Sequence, residues 1–285
     1  MLDNKSILYH YCSVDAFYNI LKTHSLWLTH AREMNDALED VYFRKPLNKA
    51  LQLFDDKSES EKKLLRIIVD SYLQRVDFPY VTCFSRDNDT LSQWRAYADD
   101  GRGVVIGFDL GAMPHVDLMM NKHGERDSLP VMIDEVCYTG EDNEVEFMRK
   151  ILSACLLNYE KSKSEKMVIA QGINALNKMS IFTKSEGFAE ENEVRLVYFP
   201  YYRDLLSNLN GETPHGNDLN DIQFRVKDGR ILSYFTYAFP EGAIKSITLG
   251  PKCAIDYAQL TLFLGKFAPQ VRINGEIHKS RISYR

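Results

Sequence analysis

Residues 80–110, YVTCFSRDNDTLSQWRAYADDGRGVVIGFDL, decide the fold class. YVTCFS (80–85) is rich in β-branched and aromatic residues and predicts a strand, and VVIGFDL (104–110) predicts a second, buried strand. Between them Thr90 is placed to cap a short helix, LSQWRAYA (91–98), and the glycines of the following GRG end that helix. A strand, a helix and a second strand in one stretch indicate an α+β protein.

The patterns on either side extend this interpretation over the whole chain. ILYHY (7–11) predicts a short buried strand, and Ser13 predicts the N-cap of the helix that follows. Helical patterns cover about 46–76 and about 141–181, the second with an interruption near Gly172. Because no linker rich in Pro, Gly or Ser divides the chain, we expect one α+β domain over residues 1–285 with these two helical insertions.

Composition and charge narrow the classes of function. The chain has 285 residues, of which 45% are hydrophobic, and its net charge is −5. Without a global positive field, any contact with nucleic acid would be local. The N-terminus has no apolar segment typical of a secretory signal, and five widely spaced cysteines fit reduced thiols. We therefore expect a cytoplasmic protein without a membrane span.

KSEGFAEENEVR (184–195) is the strongest candidate for a chemical centre. Glu191, Glu193 and Arg195 stand two residues apart, so in a strand they would line one face. Two interpretations stay open. One carboxylate has a raised pKa suited to acid–base chemistry, or the face is a solvated edge on which Arg195 pairs with Glu193.

Other candidates come from aromatic and histidine residues. His10 lies in an apolar strand, where a buried structural histidine is the usual role. Trp94 and Tyr97 are three apart and share a helix face, which suits a core or a pocket wall. The chain has no phosphate-binding glycine loop, no nucleophile elbow and no cluster with metal-ligand spacing. We therefore expect no metal.

Five blocks of the sequence stand out together: LYHYCS (8–13), LWLTHAREMND (26–36), CFSRDNDTLSQWRAYADDGRGVVIGFD (83–109), KSEGFAEENEVR (184–195) and KSRISYR (279–285). These blocks resemble a bacterial family of unknown function, DUF2971. They follow the family's order of a tyrosine-containing start, an Asn-Asp element, a C-F-S strand, a tryptophan helix, a G-V strand and a K-x(3)-W-x-x-E-x-E-x-R stretch. Phe188 stands where the family has tryptophan.

The order of elements is also similar to the ADP-ribosyltransferase superfamily, which implies a split, mixed or antiparallel sheet. By that resemblance His10 holds the adenosine ribose of NAD, with Ser13 as a polar neighbour. Tyr97 and Trp94 stack on nicotinamide, and Phe84 and Ser85 lie beside it. The superfamily's tyrosine on the C-F-S strand is here Cys83 or Phe84.

The same resemblance assigns the carboxylates. Glu193 becomes the catalytic acid, and Glu191 orients or deprotonates an acceptor. These roles imply an enzyme that cleaves NAD and transfers ADP-ribose to a protein, a nucleic acid or a small molecule, as a toxin or phage-defence effector does. Two other interpretations stay open, a non-catalytic nucleotide- or nucleic-acid-binding module and a hydrolase that uses Glu191 and Glu193 as a pair.

Overall fold

The computed structural model describes residues 6–33, 39–74, 79–113, 131–200, 219, 222–227, 229–274 and 276–284. The chain forms two compact units. The first, the sheet unit, comprises Met1–His30, Tyr80–Glu135 and Glu190–Arg285, and the second, the helical unit, comprises Ala31–Pro79 and Val136–Ala189. The Asn-Asp element at Asn35 and Asp36, which predicts a turn or a helix start, lies outside the described residues.

The sheet unit is built around a ten-stranded, mostly antiparallel sheet with four described helices. Its strands are β1 (Ile7–Cys12), β2 (Ser25–His30), β3 (Tyr80–Ser85), β4 (Val104–Asp109), β5 (Val131–Glu135), β8 (Glu193–Tyr198), β9 (Gln223–Lys227), β10 (Arg230–Ala238), β11 (Ile244–Leu249) and β12 (Glu276–Lys279). Its helices are α1 (Val14–Thr23), α4 (Leu91–Tyr97), α7 (Tyr257–Phe267) and α8 (Pro269–Asn274). The predicted α+β class is confirmed.

Strand β3 is the branch point of the sheet. One edge of β3 pairs with β8 over its full length, from Tyr80 to Ser85. The other edge pairs with β1 at Ser85 and with β2 at Tyr80 and Val81. The sheet therefore splits between β1 and β2, and the middle of β3 faces this split.

The two faces of the sheet are covered differently because side chains alternate along each strand. One face, the core face, carries Leu8, Phe84 and Val194, which pack in a hydrophobic core with residues of α1, α7 and α8. The opposite face, called the second face below, carries Tyr9 and the residues paired beside it in register, Ser85 and then Glu193.

The helical unit contains four described helices and a two-stranded parallel sheet. These elements are α2 (Glu39–Gln52), α3 (Glu59–Leu73), α5 (Glu141–Ser162), α6 (Glu165–Ile181), β6 (Cys137–Thr139) and β7 (Thr183–Ser185). The helices bury a second hydrophobic core that includes Leu65, Ile68 and Leu152. Both predicted helical insertions fall in this unit.

The predicted helical interruption near Gly172 is wrong. The chain breaks instead between α5 and α6, where Lys163 adopts a left-handed conformation at φ 54°. Gly172 lies inside α6, where an added Cβ would approach Ile68 Cγ2 to 2.7 Å. Glycine is therefore used at this position for close helix packing.

No helix in the described ranges has both the length and the apolar character that a membrane crossing requires.

Candidate active site at the end of strand β8

Glu193 and Arg195 form a buried, two-bond ion pair on the second face. Arg195 Nε and Nη2 donate to the two carboxylate oxygens of Glu193, each at 3.0 Å. Glu193 is 7% exposed and Arg195 is 1% exposed, because β8 lies between β3 and β5. The sequence left open a pairing of Arg195 with Glu193 on a solvated edge. The structure contains this pair, but on a buried strand between two neighbours.

Glu191 does not belong to this strand, contrary to the expectation from its spacing. It ends a 3₁₀ helix, Glu186–Glu191, and strand β8 begins at Glu193. Between them Asn192 has a positive φ of 45°, which interrupts the alternation of side chains. The three residues therefore do not form one row on a strand.

The side chain of Glu191 instead meets helix α4. The Tyr97 hydroxyl donates to Glu191 Oε1 at 3.4 Å, and both residues are partly exposed. The Ser85 hydroxyl donates to the Glu191 carbonyl at 2.8 Å, which fixes the end of the 3₁₀ helix against β3. We call Tyr97, Glu191 and Ser85 the rim site, because they lie where β3 and β8 meet the loops at one end of the sheet.

Glu190 is the natural comparison for Glu191. It precedes Glu191 in the same 3₁₀ helix, and its Oε1 accepts from the Ser92 hydroxyl at 3.0 Å. Glu190 is exposed, and Ser92, like Tyr97, belongs to α4. Two neighbouring carboxylates are thus bonded to the same helix, but only Glu191 lies against an aromatic ring that bears a hydroxyl.

Trp94 is a structural residue of α4. Its ring is fully buried and packs edge-on against Tyr11 at 5.1 Å between centroids. The indole Nε1–H donates to Asp89 Oδ1 at 2.7 Å, and the same carboxylate accepts from Ser280 Oγ and Arg281 N. This side chain therefore has no exposed face for stacking on a ligand, and Tyr97 is the accessible aromatic residue of the helix.

His10 points to the core face, away from Glu193. It pairs with Ile106, whereas its neighbour Tyr9 pairs with Ser85 on the second face. His10 Nδ1 lies 2.9 Å from the Cys83 carbonyl, in the split between β1 and β2. Burial lowers the pKa of His10, partly offset by that hydrogen bond, so the neutral ring with a proton on Nδ1 fits best.

Phe84 and Ser13, which the superfamily resemblance places near NAD, make contacts that stabilise the fold. Phe84 is 2% exposed and packs edge-on against His10 and Phe108 on the core face. Ser13 caps α1 as expected, its hydroxyl accepting from Ala16 N at 3.2 Å. The structure therefore brings together Tyr97, Glu191 and Ser85, and it does not bring His10 or Phe84 to the same face as Glu193.

Phe188 and Lys184 lie before this site in the chain, in the helical unit. The Lys184 ammonium is 4.5 Å from the centre of the Phe188 ring, close enough for a cation–π contact. Lys184 is buried and Phe188 is 43% exposed. The stretch KSEGFAEENEVR thus passes from the helical unit to the sheet unit at Glu190. Lys184 and Phe188 belong to the helical unit, and the glutamates from Glu190 onwards belong to the sheet unit.

The comparison with family models identifies this region. The model of a family described as "Protein of unknown function (DUF2971)" matches residues 93–196. The resemblance to DUF2971 is confirmed over these residues. The DUF2971 match contains Tyr97, Glu191, Glu193 and Arg195 and ends one residue after the buried pair. No curated protein and no solved structure matches the chain.

Sequence patterns missed two features of the sheet unit. The Asp89 carboxylate accepts hydrogen bonds from the Trp94 indole, the Ser280 hydroxyl and the Arg281 backbone N–H. Arg225, in β9, lies over two aromatic rings contributed by other strands. The only available signal for Arg225 was a charged residue within the strand pattern IQFRV. Within the described parts of the chain, no group of three or more His, Cys, Asp or Glu residues is arranged to hold a metal ion.

Proposed function

We propose that the chain is an ADP-ribosyltransferase-like enzyme that cleaves NAD, with Glu191 as the carboxylate beside the reacting carbon. The observation that carries the proposal is the Tyr97–Glu191 contact, a partly exposed phenol donating to a partly exposed carboxylate. Glu193 then has a positioning role, because its two oxygens bond to Arg195 and it is buried. This reverses the order of importance that the sequence suggested.

Cleavage of NAD requires a fixed negative charge beside C1′ of the nicotinamide ribose. The bond between C1′ of the nicotinamide ribose and the nicotinamide nitrogen breaks, and its electron pair leaves with nicotinamide. Positive charge grows on C1′, as it does in glycoside hydrolysis. A carboxylate held beside C1′ stabilises that charge without reorganising. An acceptor oxygen or nitrogen bonds to C1′, and its proton passes to Glu191 or to water.

The rim site has groups suited to each part of this step. The Tyr97 hydroxyl and the Ser85 hydroxyl hold Glu191 through its side chain and its carbonyl. The Tyr97 ring offers an aromatic surface for nicotinamide. The branch of the sheet at β3 supports the finer assignment to a split-sheet, ADP-ribosyltransferase-like fold. NAD itself enters through the resemblance of the sequence blocks.

A non-catalytic nucleotide-binding module is the second candidate. It is favoured by the burial of Trp94 and Phe84, which leaves fewer aromatic surfaces for nicotinamide than the superfamily resemblance implies. The hydrolase hypothesis, with Glu191 and Glu193 as a carboxylate pair, is less well supported, because the Glu193 oxygens bond to Arg195.

The test is a thermal-shift screen with NAD, ADP-ribose and mononucleotides, followed by detection of released nicotinamide. We expect NAD to raise the melting temperature and to yield nicotinamide. The Glu191→Gln variant should lower the release rate by about 100-fold or more, as removal of a preorganised charge does. Glu190→Gln, which changes the neighbouring carboxylate, should leave the rate close to that of the wild type.

Three outcomes separate the hypotheses. Nicotinamide release that depends on Glu191 and not on Glu190 supports the enzyme. Stabilisation by NAD or ADP-ribose without release supports the binding module. The proposal is overturned if NAD causes neither stabilisation nor nicotinamide release with any acceptor class. It is also overturned if the wild type and Glu191→Gln release nicotinamide at the same rate.

A further inference from the structure

Three adjacent strands of the sheet unit, β2, β10 and β9, bring a cation against two aromatic rings, on the other side of β3 from β8. Trp27 and Thr29 belong to β2, Tyr234 to β10 and Arg225 to β9. The pairing of Tyr234 with both Thr29 and Gln223 places these side chains on the second face. We call Trp27, Thr29, Arg225 and Tyr234 the Arg225 cluster.

Arg225 contacts each of the other three members. Its guanidinium carbon is 5.1 Å from the centre of the Trp27 ring and 5.9 Å from the centre of the Tyr234 ring. The two rings are 4.7 Å apart and tilted by 33°. Arg225 Nη2 donates to Thr29 Oγ1 at 3.0 Å. The side chain is therefore held in one orientation by rings and a hydroxyl.

The cluster contains a positive charge that no carboxylate among the described residues neutralises. Across the described residues, Arg225 has no ion pair with Asp or Glu, and its Nε–H has no acceptor. Burial lowers the pKa of Arg225, and Tyr234 opposes this with a smaller effect. On the same face of the same sheet, Arg195 has a carboxylate bonded at two points.

Unlike Arg195, Arg225 must keep its positive charge without a bonded carboxylate. A buried carboxyl or lysine can lose its charge by a shift of pKa, but a guanidinium in a protein stays protonated. A half-buried guanidinium without an anion is costly, and aromatic faces compensate only in part. All four members of the cluster are partly exposed. Because Nε of Arg225 is buried, an anion from solvent would bind through the other guanidinium nitrogens.

We propose that the Arg225 cluster binds the phosphate group of a small ligand. The planar fork of Arg225 matches two oxygens of a phosphate, and the Thr29 hydroxyl beside it is a further donor. Trp27 and Tyr234 provide an apolar floor for the part of the ligand attached to the phosphate. This site is independent of the NAD chemistry proposed for the rim site, and it lies outside residues 93–196.

The alternative is that Arg225 only stacks, as a structural cation. A structural role predicts that Arg225 variants change the stability of the unliganded protein and that phosphate has no saturable effect. A binding role predicts a phosphate-dependent response that disappears with the guanidinium. The two roles are distinguished by the ligand response, not by stability.

The experiment is a fluorescence titration with inorganic phosphate and with pyrophosphate at constant ionic strength. The chain has two tryptophans, and Trp94 is fully buried, so a change in emission reports on Trp27. We expect a saturable change with the wild type that Trp27→Phe abolishes. Arg225→Gln should weaken binding by about ten- to a hundred-fold, the range expected for loss of a charged hydrogen bond.

Two further variants make the result specific. Arg225→Lys keeps the charge but loses the planar fork, and it should bind phosphate more weakly than the wild type. Arg230→Gln removes one positive charge from the same β9–β10 hairpin and should bind as the wild type does. If Arg225→Gln fails to fold, Arg225→Lys carries the comparison. No saturable response in the wild type, or equal affinity in both Arg225 variants and the wild type, overturns the proposal.

Discussion

Glu193 in the sheet unit and Glu144 in the helical unit are both buried glutamates. The surroundings of Glu193 stabilise the negative charge, and those of Glu144 disfavour it. Glu193 has Arg195 bonded to both carboxylate oxygens at 3.0 Å. Glu144, in α5, is fully buried, and within the described ranges neither of its oxygens has a hydrogen-bond partner. Burial raises the pKa of Glu144 to about 7, with a smaller contribution from Glu141.

The comparison teaches that burial alone does not mark a carboxylate as catalytic. At Glu193 the charge is retained by a partner, so the residue contributes to the fold of β8. At Glu144 the surroundings favour the neutral form. Glu191 belongs to neither class, because it is partly exposed and accepts a hydrogen bond from the Tyr97 hydroxyl. We therefore assign chemistry to the more accessible carboxylate.

Removing one partner of the buried pair should have the largest effect on stability. Glu193→Ala should lower the free energy of unfolding by about 3–5 kcal/mol, because it breaks a buried ion pair and leaves Arg195 without its bidentate partner. Urea denaturation measures this change. The double variant Glu193→Leu, Arg195→Met should recover part of the loss. A Glu193→Ala variant as stable as the wild type would contradict the structural role assigned to the buried pair.

Replacing Glu144 should stabilise the protein, the opposite of replacing Glu193, and the gain should depend on pH. Its folded pKa of about 7 lies above the ordinary value of 4.5, so its contribution to stability is full below that ordinary value and is lost as pH rises through about 7. Glu144→Gln should therefore stabilise the protein by about 3 kcal/mol above neutral pH and by little in acid. Denaturation at a series of pH values measures the difference.

The matched control for Glu144 is one helical turn earlier. Glu141 is bonded to Lys45 and Lys49, which hold its pKa below the ordinary value. Its contribution is therefore present above the unfolded pKa and is lost as pH falls. Glu141→Gln should not reproduce the gain in stability at high pH. The same gain in both variants would show that the buried site is not responsible.

The smallest effect is expected at His10. Its folded pKa is lowered by burial, so its contribution to stability is present above the unfolded pKa and is lost as pH falls through the folded pKa. His10→Gln keeps an N–H donor for the Cys83 carbonyl and should flatten this loss, with a change of about 1 kcal/mol. Thermal melts between neutral and mildly acidic pH test it. A variant that abolishes NAD turnover without changing the melt would restore a ligand role to His10.

Local sequence patterns were sufficient for much of the fold. The strand–helix–strand order of residues 80–110, the N-cap at Ser13 and the two helical regions follow from nearest-neighbour chemistry. The helix break at Lys163 and the strand start after Asn192 could not be predicted, because both use a positive φ at a residue other than glycine. The contacts that make such conformations tolerable come from elsewhere in the chain.

The candidate site was predictable in composition but not in arrangement. The sequence predicts a site in the stretch 184–195, yet Tyr97, which donates to Glu191, lies 94 residues away. Strand alternation gives each residue's parity but not the register between distant strands, and that register puts His10 and Glu193 on opposite faces. Arg225 was missed because its aromatic floor comes from two other strands.

The most direct test of the account compares nicotinamide release from NAD by Glu191→Gln and by the wild type, with the folded fraction of each measured in the same buffer. We predict that Glu191→Gln melts like the wild type and releases nicotinamide at least about 100-fold more slowly. A Glu191→Gln variant that is fully folded and releases nicotinamide at the wild-type rate would contradict it.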